Sequence, residues 1–340
     1  MPVDIRQGSA KGSSDAGSAR KVRVGLIGCG HMANLVHYPS LAEFDDVEFA
    51  GICDIVPQKL HSTADRFNIE ARFTDYKEMI ERTAPEAVYI LMPPHQLFDI
   101  VVHCLRQGLH VFIEKPPGVY SEQTRNMAKL AECNGCLTMV GFNRRFIPLL
   151  RLLKDMVKER GQIQQCVATF YKHWVGGEPY YGGAVDILTC DAIHAVDALR
   201  WMSESEPKKV VSSVRAVSSY FKNSFNALIE FENGCVGILL TNWAAGRRVH
   251  TFEMHGVGIS AFANPDADGE GIVYADDGKL VKRITPQEAA GSEQWHKLYG
   301  FYDENRHFID CIKAGELPQT HFGDAVKTME LIDAIYRNSI

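Results

Sequence analysis

Nowhere in the 340 residues is there an apolar run near the roughly 18 residues that a membrane-spanning helix requires, and no apolar stretch follows a basic start at the N terminus. A cytoplasmic protein is the resulting expectation. Long runs of lysine and arginine are also missing, and the net charge is -6. Nucleic acid and membrane surfaces are therefore poor candidates for the main partner, and small molecules are better ones. Nine cysteines, an odd number scattered along the chain, do not form the framework of a small disulfide-stapled secreted fold. Cys133 and Cys136 make one C-x-x-C, but no second pair stands at zinc spacing. Two reduced thiols near a helix end are expected there, and no metal. No internal repeat is present.

What is present suffices for a large core. Apolar residues make up 46% of the chain, and the length suggests two domains. Residues 1 to 20 are rich in Ser, Gly and Ala with little to bury, and read as a disordered arm. From Lys21 to Phe142, short apolar runs alternate with amphipathic stretches: "VRVGLIG", a helix from about His31, "VEFAGICD", a helix opening at Pro57, "AVYILMPP", a helix over Leu97 to Gln107, "LHVFIEK", a helix over Ser121 to Asn134, and "LTMVGF". This alternation predicts an α/β unit, a doubly wound parallel sheet of Rossmann type. Over 143 to 340 the pattern changes to runs of strands with a few helices, which predicts an α+β domain with a mixed, mainly antiparallel open sheet. "FNALIEFENGCVGILLTNW" reads as a hairpin with positive φ at Asn233-Gly234, and "YADDGKLVKR" reads as another. Helices at "YDENRHFIDCIKAG" and "DAVKTMELIDAIYRN" close the chain and are expected to pack back.

"VGLIGCGHMA" places Gly28, Gly30 and Ala33 in G-x-G-x-x-A spacing between a strand and a helix. Such a loop uses its first glycine for a tight turn, its second to let a pyrophosphate reach the backbone, and a small third residue for close helix packing. Asp54 ends the next strand, where a carboxylate accepts hydrogen bonds from a ribose diol. Its charge repels a 2′-phosphate, and Ile55 and Val56 offer no cation to bind one. NAD(H) is therefore favoured over NADP(H), although Arg66 is near enough in sequence to be recruited. "VFIEKPPGVY" raises a different question, because Glu114 and Lys115 put two charges where an interior strand emerges. They are either the solvated end of a strand or groups held for chemistry.

The glycine loop, "MPPHQ", "EKPPG", "GFNRRFIP" and "AIHAVDALRW", in this order, resemble the glucose-fructose oxidoreductase, inositol dehydrogenase and MocA family from about Val22 to the C terminus. The resemblance implies a nicotinamide-dependent oxidoreductase acting on a ring hydroxyl or ketone of a sugar, cyclitol or derivative, bound between two domains. Redox-neutral glycoside cleavage and non-catalytic NAD-bound sensing are alternatives that members of such a family also present. A homodimer or homotetramer is implied as well. His31, Met32, Pro93, His95, Glu114 and Lys115 are placed beside the cofactor.

By the same resemblance, Lys115 bonds the reacting hydroxyl and His194 is the acid/base, a role that suits an ordinary imidazole pKa near 6.5. The usual aspartate four residues before that histidine is Cys190 here. Asp191 shares a helix face with His194 and is expected to take the role, with Asp186 as the other candidate. Arg145 and His173 stand where relatives look toward substrate, against plainer readings as a domain-hinge ion pair and a surface strand residue. Arg144 is expected to be structural. Tyr180, Tyr181 and Trp243 are candidates for stacking on a sugar ring, against ordinary packing. Arg247 and Arg248 suit an anionic substrate if they face the cleft. Replacing Asp54 tests the cofactor assignment: Asp54→Ser is expected to narrow the ratio of NAD to NADP affinities measured by titration, and an unchanged ratio contradicts it.

Overall fold

The computed structural model describes residues 20 to 340; the arm expected over 1 to 20 falls, up to residue 19, outside them. The first sheet holds β1 (Val22–Ile27), β2 (Val47–Cys53), β3 (Arg72–Phe73), β4 (Ala87–Ile90), β5 (His110–Glu114) and β6 (Thr138–Gly141). Their order is β3-β2-β1-β4-β5-β6, with every pairing parallel. β4 and β6 are buried at every position, which is why they read as continuous apolar runs. The strand order reverses direction beside β1, the place where open α/β sheets bind ligands at their strand ends. Helices Pro57–Arg66, Phe98–Arg106 and Ser121–Cys133 fall where the apolar periodicity predicts them. The helix expected from His31 is less regular. Ala33–His37 winds as a π-helix before Tyr38–Ala42 resumes α geometry.

The second sheet holds β7 (Gln165–His173), β8 (Pro207–Arg215), β9 (Ser224–Phe231), β10 (Val236–Asn242), β11 (Ala244–Gly256), β12 (Ile259–Ala263), β13 (Gly271–Ala275) and β14 (Lys279–Ile284). Their order is β14-β13-β12-β11-β7-β10-β9-β8. β7 and β10 run parallel and the other neighbours antiparallel, so the sheet is mixed as the runs of strands suggest. The β9–β10 hairpin forms, but only Gly234 takes positive φ, at 85°. Asn233 instead uses its side-chain Oδ1 to accept from the Cys235 amide at 3.0 Å, so the turn needs one left-handed residue rather than two. Phe301–Ala314 returns to the first sheet, where Phe308 lies 5.7 Å from the rings of both Tyr89 and Phe112. Among the described residues no helix is long and apolar enough to cross a membrane.

Between the two sheets, the short 3₁₀ turn Asn143–Phe146 carries Arg145. Its guanidinium donates to Asp197 at 2.7 and 2.5 Å and pairs with Asp324 at 2.7 Å. Arg145 is therefore no substrate ligand: both carboxylates hold it inside the junction between the turn, helix Ile193–Ser203 and helix Phe322–Arg337, 6% exposed. Removing one partner of a buried ion pair leaves the other charge unpaired, at about 3–5 kcal/mol. Arg145→Ala is expected to lower unfolding free energy in urea by about that amount. A loss below about 1 kcal/mol would show that the junction does not depend on this pair.

Candidate functional site

At the end of β1, Gly28 has φ +109° and an added Cβ would lie 2.3 Å from the Leu91 carbonyl oxygen. Only glycine fits this close approach of two strands. At Gly30 a Cβ would meet nothing within 4 Å, so the backbone lies open to a ligand, while Ala33 is buried under the helix that follows. Asp54 accepts from the Cys29 amide at 2.7 Å and the Val56 amide at 2.8 Å, one bond to each oxygen. Those bonds aim the carboxylate at the loop and leave lone pairs free for a diol. Gly28, Gly30, Asp54, Lys59 and Pro93 line one groove of about 240 Å³. A dinucleotide fits this cradle: open backbone for phosphates, a fixed carboxylate for ribose. Arg66 is otherwise engaged, on the Asn34 carbonyl at 3.0 Å and the Phe67 ring; the cation in the groove is Lys59. His31 is exposed, and His95 turns to the Tyr181 ring, 5.3 Å away, rather than into the groove.

A second cavity of about 590 Å³ opens between the sheets, lined by Met32, Glu114, Lys115, Arg144, Asp191 and His194 from four separate stretches of chain, with Arg248, Asp266 and Tyr299 opposite. β5 delivers the first pair. Glu114 accepts from His37 Nε2 at 2.9 Å; burial opposes its charge, but His37 holds the carboxyl below its ordinary value. Lys115 precedes Pro116 across a cis peptide bond, and its Nζ donates to the Cys190 carbonyl at 3.0 Å. The lysine is thus anchored across the cleft and is not a mobile strand end.

Cys190 and Asp191 sit in a π-helix, Leu188–Ala192, that runs into helix Ile193–Ser203. A π-turn absorbs an additional residue in a helix and rotates what precedes it. Asp191 points into the cleft, where its Oδ2 accepts from Tyr180 OH at 2.7 Å and pairs with Lys172. Among the described residues nothing bonds its Oδ1. Burial opposes the charge, yet Lys115 and Lys172 together hold the carboxyl below the ordinary aspartate value. Asp186 lies elsewhere, bonded to Thr189 and to Tyr336 OH at 2.7 Å. Burial pushes the Cys190 thiol up to about 11, so it is neutral and no substitute for a carboxylate.

His194 is 4% exposed, and its Nδ1 is buried without a hydrogen-bond partner. Neither Asp191 nor Asp186 orients it, contrary to the expectation from helix spacing. Burial first, then the charges of Arg144 and Lys115, push its pKa well below 6.5. The imidazole is therefore neutral at physiological pH, not poised at its ordinary value.

Several sequence-based assignments are corrected by these positions. Arg144 lines the cleft while Arg145 does not; its Nη1 donates to Asn143 Oδ1 at 2.8 Å, its plane lies over the Tyr299 ring, and its Nε has no partner. Trp243 is wholly buried, its Nε1 3.4 Å from Tyr180 OH, so it supports Tyr180 instead of stacking on a ligand. Tyr180 in turn spends its hydroxyl on Asp191. His173 is an exposed residue at the end of β7, bonded to the Ala245 carbonyl at 2.9 Å, and does not line the cavity. Arg248 does line it, paired with Asp266, whereas Arg247 does not. Lys172 was missed. It lies near the end of β7 with its ammonium over the rings of Phe170 and Trp243, and no charge pattern in the sequence singles it out.

The chain matches two family descriptions: "Oxidoreductase family, NAD-binding Rossmann fold" over residues 22–142 and "GFO/IDH/MocA C-terminal domain" over residues 150–260. It is 28% identical over 244 residues to the rhizopine catabolism protein MocA of Rhizobium meliloti, covering 67% of this chain and 72% of that protein. Identity to a myo-inositol 2-dehydrogenase of Thermotoga maritima is 24% over 314 residues, covering 87% and 90%. A levoglucosan dehydrogenase solved with NADH and levoglucosan shares the fold with a TM-score of 0.82 at 21% identity, over 94% of this chain and 97% of that one. With both halves of the family pattern matched around a dinucleotide cradle and an adjoining cleft, the chain belongs to the Gfo/Idh/MocA family of NAD-binding oxidoreductases.

Proposed function

We propose that this protein interconverts a ring hydroxyl and a ketone on a sugar, cyclitol or sugar derivative, with NAD(H) favoured over NADP(H). The observation that carries this reading is the meeting of Lys115, Asp191 and His194 in one cavity beside the dinucleotide groove. The names of the relatives, an inositol dehydrogenase and a levoglucosan dehydrogenase among them, support a polyhydroxylated ring as substrate. When bound in the groove, the nicotinamide supplies the hydride acceptor or donor. The protein's own groups then handle orientation and the proton.

Oxidation of a secondary alcohol requires the hydroxyl proton to leave as the carbon gives up hydride. Lys115 donates a hydrogen bond to the reacting oxygen from its anchored position, which stabilises negative charge developing there. His194, kept neutral by burial and neighbouring cations, is in the form that accepts a proton. Asp191 offsets Lys115 and Lys172, and its free Oδ1 is available to a second substrate hydroxyl. Arg144, nearly buried with an unpartnered Nε, and Arg248 supply further donors across the cleft. Asp54 supports the NAD preference through charge, against which stands Lys59 in the same groove.

The outer face of the second sheet exposes Val211, Leu228, Phe262 and Leu280, which supports assembly into a homodimer or homotetramer through that face. A cytoplasmic location accords with this reading.

Two outcomes test the chemistry. Purified protein supplied with NAD and a panel of sugars, cyclitols and sugar acids is expected to generate reduced-nicotinamide absorbance with one class. Lys115→Ala should reduce that rate at least about 100-fold with the cofactor still bound; a rate within about threefold of the parent would contradict the assignment. Because the pKa of His194 is depressed, the acid limb of kcat/KM for oxidation is expected below pH 6.5. His194→Ala should abolish that limb, and an acid limb retained in the variant would remove His194 as the base.

A further inference from the structure

Behind Lys115, the cleft wall conceals a group of titratable side chains that the mechanism does not use. Glu304, in the first turn of helix Phe301–Ala314, is 0% exposed, and neither of its carboxyl oxygens has a hydrogen-bond partner. Its carboxyl, the Glu114 carboxyl and a ring nitrogen of His37 lie within 4.8 Å of one another. Glu114 and His37 are already satisfied. His37 bonds Glu114 at 2.9 Å through Nε2 and Asn305 through Nδ1, and the other Glu114 oxygen accepts from the Lys115 amide at 3.1 Å. Glu304 is the odd member.

Two ionised carboxylates this close in a buried wall repel strongly, and an isolated buried charge is expensive. A divalent cation would relieve both problems, but it would have to compete with the bond between His37 and Glu114, whose atoms are already paired with each other. A proton needs no such rearrangement. The remaining neighbours do not supply a counter-charge at bonding distance: Tyr89 from β4, close enough to feel the Glu304 charge, has a hydroxyl that is itself unpartnered, Arg144 acts on Glu304 only through space, and Arg306 acts on Tyr89.

We propose that Glu304 is a positioning residue held as a neutral carboxylic acid, so that the Glu304–Glu114 pair carries one negative charge in place of two. The single charge remains on Glu114, bonded to His37 and to the backbone of Lys115. The strand end that presents Lys115 to the cleft is thereby fixed without a second anion beneath it. Burial, then the Glu114 charge, raise the Glu304 pKa well above its ordinary 4.5, in agreement with this arrangement. The link to catalysis rests on the reading of Lys115 given above; the protonation state does not.

Infrared spectra of the full protein carrying 13C-carboxyl glutamate test the proposal without any substrate. At pH 7 a protonated-carboxyl C=O band is expected in the parent and in Glu114→Gln, and it should be absent from Glu304→Gln. Thermal melting against pH gives a second reading. A carboxyl whose folded pKa is raised makes stability fall as pH climbs from 4.5 through the raised value, so Glu304→Gln should show a flatter alkaline decline than the parent. Absence of the band in the parent, parallel melting curves, or one bound divalent metal per chain that is lost in Glu304→Gln would each overturn the proposal.

Discussion

The hydrogen bond from Lys115 Nζ to the Cys190 carbonyl, 3.0 Å long, joins the end of β5 in the dinucleotide sheet to the π-turn that leads into the helix carrying His194. Neither side forms the cleft alone. β5 supplies a lysine and a glutamate at the point where it leaves the core, and the π-turn with the helix after it supplies a carbonyl, a carboxylate and an imidazole from residues more distant in sequence. The bond sets how far apart these groups stand, and so which atoms a small ring can touch at once. Arg145, buried between Asp197 and Asp324, secures the same junction from behind.

Charge in the cleft is arranged by alternation. Lys172, Asp191, Lys115 and Glu114 alternate in sign from the second sheet to the first, and His37 bonds Glu114 behind the wall. Such an arrangement keeps Lys172, Asp191, Lys115 and Glu114 each near an opposite charge inside the cleft. His194 is the exception: cations flank it, no carboxylate bonds it, and it stays neutral. A neutral base beside an anchored ammonium suits removal of a hydroxyl proton, because charge is created only as the reaction proceeds. An aspartate bonded to Nδ1 would have raised the imidazole pKa. Displacement of Asp191 by the π-turn toward Lys172 and Tyr180 therefore changes the histidine's chemistry.

Much of this fold was legible in the sequence, because apolar period and glycine spacing report on backbone geometry. The β–α alternation, the loop at Gly28 and Gly30, and both hairpins follow from those signals. Motif order also located Lys115 and His194. What could not be read is where side chains turn. Arg144 and Arg145 are adjacent on a 3₁₀ turn, where successive residues diverge by about 120°, so one faces the cleft and the other an ion pair. Asp191 was chosen by α-helical spacing, and a π-turn invalidates that spacing. Lys172, His37 and Glu304 belong to three remote segments whose meeting depends on tertiary packing, and no local pattern marks them. Trp243 was ambiguous for a simpler reason: aromatic residues on strands carry the same sequence signature whether they stack on a ligand or fill a core.

The central claim is that this cleft moves hydride between a ring carbon and a nicotinamide bound in the adjoining groove. The most direct measurement is isotopic. Purified protein incubated with NAD and perdeuterated sugars and cyclitols should yield NADH bearing one deuterium at nicotinamide C4, detected by mass spectrometry, with the matching ketone formed in equal amount. Tight NAD binding without deuterium transfer from any ring in the panel would contradict the account and favour a protein that holds the dinucleotide for another purpose.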